Sequence, residues 1–221
     1  FAEYDAIVIG YGAAGGGAAI SAYDSGASVI ILEKMSTPGG NSRVSGGGLI
    51  FPKDSRDSGR FSEYLRGVCL NTVEPELVDT FVRELMECPD WLREMGGELK
   101  AVSISEVFYS KFHPTKTFSG APGAEGLELA LKEVKQTNTC PEPNAGARLW
   151  GCLAREVERK GIKVMLSTPA KELVKNQKGE VVGVIAKSEG EDLLIKAKKG
   201  VLLALSNSLG LPKAVSLLVL Q

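Results

Sequence analysis

Residues 5–19 read DAIVIGYGAAGGGAA, an apolar run that gives way to a stretch almost without side chains. Asp5 to Gly10 is short, rich in β-forming residues and closed by glycine, which predicts a buried strand. Residues 13–25 place small and apolar residues at helical spacing and stop at Gly26, a glycine suited to the C′ position of a helix. SVIILE, Ser28 to Glu33, is a second buried strand. Strand, glycine turn, helix and strand in this order make a βαβ unit, whose crossover is right-handed.

Gly10, Gly12 and Gly15 form G-x-G-x-x-G at the junction of the first strand and the helix. The first glycine permits the tight turn, the second lets main chain approach a pyrophosphate, and the third lets helix and strand pack closely. Phosphate is favoured there by the free N–H groups of a helix N-terminus and by the helix dipole. Glu33 ends the second strand 18 residues after Gly15, where a carboxylate accepts hydrogen bonds from the ribose diol of an adenosine. Glutamate rather than arginine at this point argues against a 2′-phosphate.

A second glycine cluster, GGNSRVSGGG (Gly39 to Gly48), follows almost at once. A nicotinamide-binding βαβ unit has no need of it, whereas a flavin and its ribityl chain extend beyond the pyrophosphate and require close main-chain contact. Asn41, Ser42 and Ser45 supply short polar groups for those oxygens.

The rest of the 221-residue chain bounds the reading. It is 43% hydrophobic and 24% charged with a formal net charge of −1, an ordinary globular composition without the basic footprint of a nucleic-acid binder. The cluster KAKKG (Lys196 to Gly200) reads as a solvated strand edge. Cys69, Cys88, Cys140 and Cys152 share no C-x-x-C spacing and accompany a single histidine, so no metal site is expected and the thiols are read as reduced, in a cytoplasmic-type protein. The apolar tail is interrupted by Asn207, Pro212 and Lys213, which predicts a buried strand and a helix start rather than a membrane span. Phe1 in place of methionine implies an upstream segment outside this sequence.

Between these landmarks, residues 36–59 read as a long irregular connection. Residues 75–97 predict an amphipathic helix broken near Pro89, with Leu77, Phe81, Val82, Leu85 and Met86 as its apolar face and Gly96 and Gly97 as its close. GLELALKEVKQ is a second helical pattern, TNTCPEPNAGA a linker, and Arg148 to Lys160 a helix ended by Gly161. IKVMLS and the segments after it read as successive strands joined at NQKGE and EGED. The expected fold is α/β: a Rossmann-like FAD-binding domain with a parallel sheet, an attached β-meander and a helical insertion.

With these motifs in place, DAIVIGYGAAGGGAA and ILEKMSTPGGNSRVSGGG resemble the amino-terminal FAD-binding region of the superfamily that holds the fumarate reductase and succinate dehydrogenase flavoproteins, urocanate reductases, L-aspartate oxidases and 3-ketosteroid dehydrogenases. The resemblance continues through GIKVMLSTPAKELVKNQKGEVVGVIA and KAKKGVLLA. It implies FAD as cofactor, with Gly10, Gly12, Ala13, Ala14 and Gly15 at the pyrophosphate and Glu33, Lys34 and Met35 at the adenosine. Gly39, Gly40, Asn41, Ser42, Ser45, Gly46, Gly47 and Gly48 would follow the ribityl chain and flavin, and Ala170 would meet the adenine. It also implies a division into residues 1–54 (βαβ unit and glycine loops), 55–145 (helical and loop insertion) and 146–221 (return to the FAD-binding domain). A substrate-capping domain and a carboxyl-terminal FAD segment would follow residue 221. One departure stands out: after VLLA such proteins continue Thr-Gly-Gly, and this chain has Leu205, Ser206 and Asn207.

Members of this superfamily transfer hydride between flavin and a carbon–carbon bond α,β to a carbonyl, with a protein acid or base handling the proton. Within this chain Tyr109 and His113, in VFYSKFHPTKTFSG, are the candidate acid–base groups. The implied partner is a small-molecule carbonyl substrate, an unsaturated carboxylate or a ketosteroid, and the electron donor or acceptor is not readable. Fumarate-reductase-like reduction leads; a ketosteroid dehydrogenase and a non-catalytic FAD- or ADP-binding module are the alternatives.

Overall fold

One mixed sheet organises the nucleotide-binding half of the chain. The structure, a computed structural model, describes residues 2–45, 47, 58–97 and 145–205. Its strands are β1 (Ala2–Ile9), β2 (Val29–Leu32), β3 (Lys163–Met165), β4 (Ala170–Lys175), β5 (Val181–Ser188) and β6 (Glu191–Leu203), in the spatial order β3-β2-β1-β6-β5-β4. β3, β2, β1 and β6 are mutually parallel, while β5 and β4 continue antiparallel from β6. This is the expected Rossmann-like arrangement with its meander attached.

β6 joins the two parts. Its first half pairs with β5 from Glu191 to Lys196, and its second half pairs with β1 up to Leu203. Between the pairs Tyr4↔Ala197 and Ala6↔Gly200 the register slips, so β6 carries one extra residue there. KAKKG therefore lies on an interior strand, not on a sheet edge. Lys196, Lys198 and Lys199 reach solvent by side-chain alternation and by that bulge.

One sheet face is a continuous apolar cluster of Ile7, Ile9, Ile30, Leu32, Val184, Ala186, Ile195, Ala197 and Val201. Large aliphatic side chains of this kind contribute ~1.5–3 kcal/mol each when fully buried. Helix α1 (Ala13–Asp24) packs on β1 and β2, and α5 (Ala145–Arg159) packs against both α1 and the short α2 (Gly40–Val44). At the far end of α1, Lys160 is paired with Asp24 and stands 5.6 Å over the Tyr23 ring.

The chain divides into two compact units, Phe1–Gly46 with Gln136–Gln221 and, separately, Gly47–Lys135. Of the second unit, α3 (Ser58–Val68) and α4 (Pro75–Glu94) pack on each other around Phe61, Val78 and Val82. Arg66 on α3 pairs with Asp79 on α4 at 2.5 Å.

Several sequence expectations change. α4 runs unbroken through Pro89, because proline costs one main-chain bond without forcing the remaining turns apart. Its buried positions are Val78, Val82 and Leu92, while Leu77 and Phe81 are exposed among the described residues. α2 and α3 interrupt what the glycine, serine and proline content presents as an irregular connection. α5 begins at Ala145 and takes in residues read as linker. GLELALKEVKQ and residues 206–221 lie outside the described residues.

Candidate nucleotide-binding site

The turn between β1 and α1 is shaped by two glycines whose absent side chains are a steric necessity. Gly10 has φ +103, and a Cβ there would stand 2.5 Å from the Ala204 carbonyl oxygen at the end of β6. A Cβ on Gly15 would stand 1.9 Å from the Gly10 carbonyl oxygen. These are the turn and the close helix–strand approach that the G-x-G-x-x-G spacing predicts. Gly12 is different. Its φ is −94, and a Cβ would meet only Ser42 Oγ at 3.3 Å and the Gly39 oxygen at 3.7 Å. Packing alone does not demand glycine at this position.

Gly12 caps α1 without a side-chain hydrogen bond, and no acidic residue stands in the first turn. A helix leaves its first N–H groups without internal acceptors. Ser42 Oγ on α2 takes the Ala13 N–H at 3.0 Å, and Gly16 N–H returns to the Gly12 oxygen at 2.9 Å. The N–H groups of Gly12, Ala14 and Gly15 find no acceptor among the described residues. The helix thus presents donors and no neutralising carboxylate, which favours an anion.

Glu33 closes the site from the end of β2. It is 8% exposed, and its two oxygens accept different main-chain donors: Oε2 takes Tyr11 N–H at 2.8 Å and Oε1 takes Met35 N–H at 2.8 Å. Each oxygen retains a lone-pair direction for a further donor. The carboxylate is aimed at the glycine turn itself, a buried charge compensated by two main-chain bonds. The main chain around it is tied to the β3–β4 connection, Glu33 oxygen receiving Thr168 N–H at 2.8 Å and Met35 oxygen receiving Ser167 N–H at 3.1 Å. Lys34 and Met35 are exposed beside that connection. Ala170 is half-buried as the first residue of β4, opposite Ala186.

The second glycine cluster forms a left-handed turn into α2, with φ +105 at Gly39 and +45 at Gly40. Gly39 N–H donates to the Tyr11 oxygen at 2.7 Å, which brings the two glycine loops together. Asn41 is exposed on α2, while Ser45 follows the helix and donates its hydroxyl to the Ser42 oxygen at 2.8 Å. Gly47, in the other unit, has φ +66. Gly46, Gly48, Tyr109 and His113 lie outside the described residues.

Supporting residues absent from the sequence expectations are Gly146, Trp150 and the Tyr11 side chain. A Cβ on Gly146 would fall 2.4 Å from the Ser45 oxygen and 2.5 Å from the Ser42 oxygen, so the start of α5 abuts the end of α2. Trp150, 1% exposed, stands edge-on to Tyr11 with ring centroids 5.4 Å apart, and would touch a Cβ on Gly39 at 3.1 Å. Burial, aided by the Glu158 charge, pushes the Tyr11 phenol well above its ordinary pKa. Consecutive small residues at 145–147 were the available signal for the first; nothing in sequence spacing connects Trp150 to Gly39.

A dinucleotide carrying a diphosphate and a ribose diol fits this set: unoccupied donors at the α1 N-terminus and a carboxylate held at the turn. Residues 5–215 match the family described as FAD binding domain. The chain is 28% identical over 212 residues to an NADH:fumarate oxidoreductase of Klebsiella pneumoniae (strain 342), covering 91% of this chain and 20% of that protein. It is 37% identical over 136 residues to a 3-oxosteroid 1-dehydrogenase of Mycolicibacterium smegmatis, covering 57% of this chain and 23% of the relative. Among solved structures, a 3-ketosteroid Δ1-dehydrogenase from Sterolibacterium denitrificans shares the fold with TM-score 0.70 and 19% identity, covering 92% of this chain and 48% of the other. The chain thus spans a fifth to a quarter of the length of these sequence relatives.

Proposed function

The chain belongs to the FAD binding domain family, with FAD as its cofactor, and on that premise we propose that it is the nucleotide-holding part of an oxidoreductase acting at a carbon–carbon bond α,β to a carbonyl. The observation that carries the reading is the Glu33 carboxylate fixed at Tyr11 N–H beside the open α1 N-terminus. In this reading the N–H groups of Gly12, Ala14 and Gly15 hold the diphosphate. The Ser42 hydroxyl, already accepting from Ala13, turns its own proton to a phosphate oxygen. Glu33 accepts from the ribose hydroxyls while keeping both main-chain bonds. Gly39, Gly40, Asn41, Ser45, Gly46, Gly47 and Gly48 are the proposed contacts of the ribityl chain and flavin, with Lys34 and Met35 beside the adenosine ribose and Ala170 at the adenine. When bound, FAD supplies two-electron hydride chemistry.

An unsaturated carboxylate is the leading substrate class, because at the same 91% coverage of the chain the fumarate-reducing relative is 28% identical and a 3-oxosteroid 1-dehydrogenase of Comamonas testosteroni 23%. The 37% identity of the Mycolicibacterium smegmatis steroid dehydrogenase over 57% of the chain keeps a 3-ketosteroid as the alternative. Tyr109 and His113 are the proposed proton-transfer groups of this chain. The first test is the visible spectrum of the purified chain: flavin absorption bands support the cofactor reading. Reduced viologen with fumarate or urocanate, set against a 3-ketosteroid with an acceptor dye, then separates the substrates. That assay uses a full-length version, in which activity on none of them leaves a binding module, and a colourless chain that takes only ADP removes the flavin reading.

A further inference from the structure

Tyr11, between the first two glycines of the turn, is a junction. Its N–H donates to Glu33 Oε2 at 2.8 Å, and its main-chain oxygen accepts from Gly39 N–H at 2.7 Å. The first bond leads to the carboxylate assigned to the ribose, and the second to the start of the other glycine loop. The position of residue 11 therefore bears on both loops at once.

Its side chain is lodged between two helices. The ring is buried; Cε2 lies 3.6 Å from the place a Gly16 Cβ would take on α1. The Trp150 indole of α5 stands edge-on to it at 65°, with centroids 5.4 Å apart. An aromatic pair in this arrangement attracts beyond the area it buries. Trp150 also meets the second loop directly. Its Cδ2 lies 3.1 Å from the place a Gly39 Cβ would take, and Arg43 Cβ lies 2.8 Å from the same point. Gly39 holds φ +105 between these walls. Glycine has more conformations to choose from than any other residue, so the shape of this turn depends on its neighbours. The indole N–H has no hydrogen-bond partner among the described residues, so Trp150 acts on the turn by ring contact.

We propose that Trp150 is a positioning residue for the flavin end of the cofactor: through Gly39 and Tyr11 it sets the second glycine loop in the shape that receives the ribityl chain and flavin. This rests on the assignment of Gly39 and Gly40 to that part of FAD. A loop already in its bound shape loses less entropy when the ligand arrives. Removing the indole is thus felt by FAD, which reaches both loops. ADP feels it much less, because its diphosphate and ribose are held by the α1 N-terminus and Glu33, and Tyr11 keeps its contact with α1.

The test compares the Kd of FAD and of ADP, by titration calorimetry, for the parent chain, Trp150→Leu and Trp150→Phe. Trp150→Leu is expected to weaken FAD about tenfold and ADP by less than about twofold. Trp150→Phe keeps a flat ring beside Tyr11, so it should weaken FAD only about threefold and leave ADP unchanged; it supplies the comparison if the leucine variant misfolds. Hydrogen exchange without nucleotide gives a second readout: amides from Gly39 to Val44 should exchange faster in the variants while those of β1 keep their rates. Equal weakening of FAD and ADP, undiminished FAD binding, or uniformly faster exchange in loop and sheet overturns the proposal. A parent chain that binds ADP and not FAD overturns the cofactor reading and the proposal with it. A parent chain that binds FAD, beside variants that bind it equally well, overturns the proposal alone.

Discussion

Gly15 and Gly12 belong to one motif but serve different ends, and substitution separates them. A methyl on Gly15 would be driven into the Gly10 oxygen at 1.9 Å, main chain against helix with no flexible atom to yield. Gly15→Ala is expected to cost about 3 kcal/mol of stability by such overpacking, read from urea denaturation. Gly12→Ala meets the Ser42 hydroxyl at 3.3 Å and the Gly39 oxygen at 3.7 Å, so it should lower the denaturation midpoint much less than Gly15→Ala while weakening FAD, read by flavin fluorescence titration. At Glu33, glutamine keeps one acceptor but sets an NH2 against a main-chain N–H. Glu33→Gln should therefore lose about 2 kcal/mol of stability and bind FAD more weakly, by the same two measurements. The glycines and Glu33 were legible because steric and charge demands at the turn permit few residue types. Tyr11 was not, because its importance lies in where its side chain goes, between two helices that sequence spacing does not bring together.

At the scale of single elements, hydrogen bonds and propensity decide. Pro89 stands inside the continuous α4, so Pro89→Ala should stabilise the chain by about 1–3 kcal/mol, measured as a rise in denaturation midpoint. The parallel pair β1–β2 is fastened at its entrance by Asp5, whose carboxylate accepts the Ser28 N–H and hydroxyl, both at 2.8 Å. These bonds, with the main-chain one first, hold the Asp5 pKa below its ordinary value. The sign follows: this stabilisation is complete above the unfolded value of ~3.9 and is lost as pH falls through the lower folded value. Stability of Asp5→Asn should accordingly be less steep below pH ~4 than that of the parent chain, with the two slopes alike near neutrality. β1, α1, β2 and α5 were readable from apolar periodicity and terminal glycines. α2 was not, because five residues of Gly, Asn, Ser, Arg and Val carry no helical signature; it is held by α5 and by Ser42 bonding to α1.

For the molecule as a whole, the order of strands predicts a gradient of protection. β1 and β6 are each paired on both sides, whereas β3 and β4 stand at the sheet edges. Amides of β1 and β6 should exchange last and those of β3 and β4 earlier, by hydrogen-exchange mass spectrometry. Uniform exchange across the sheet would contradict that order. The βαβ succession alone implied the parallel layer, since crossover handedness leaves few alternatives. That β6 would serve both the parallel layer and the meander was not legible, because its length hides a bulge and its lysines resemble those of an edge.

That long strand runs between two turns. Ala204, just past its end, abuts the first glycine, while its beginning is joined to β5 by Glu189 and Gly190, with φ +51 and +91. The Lys187 N–H bonds to the Pro169 oxygen at 2.9 Å and the Thr168 N–H to the Glu33 oxygen at 2.8 Å, so two main-chain links lead from that hairpin back to Glu33. A dye spliced at Glu189–Gly190 would therefore sit on a short path to the glycine turn, and its emission should register occupation of that turn.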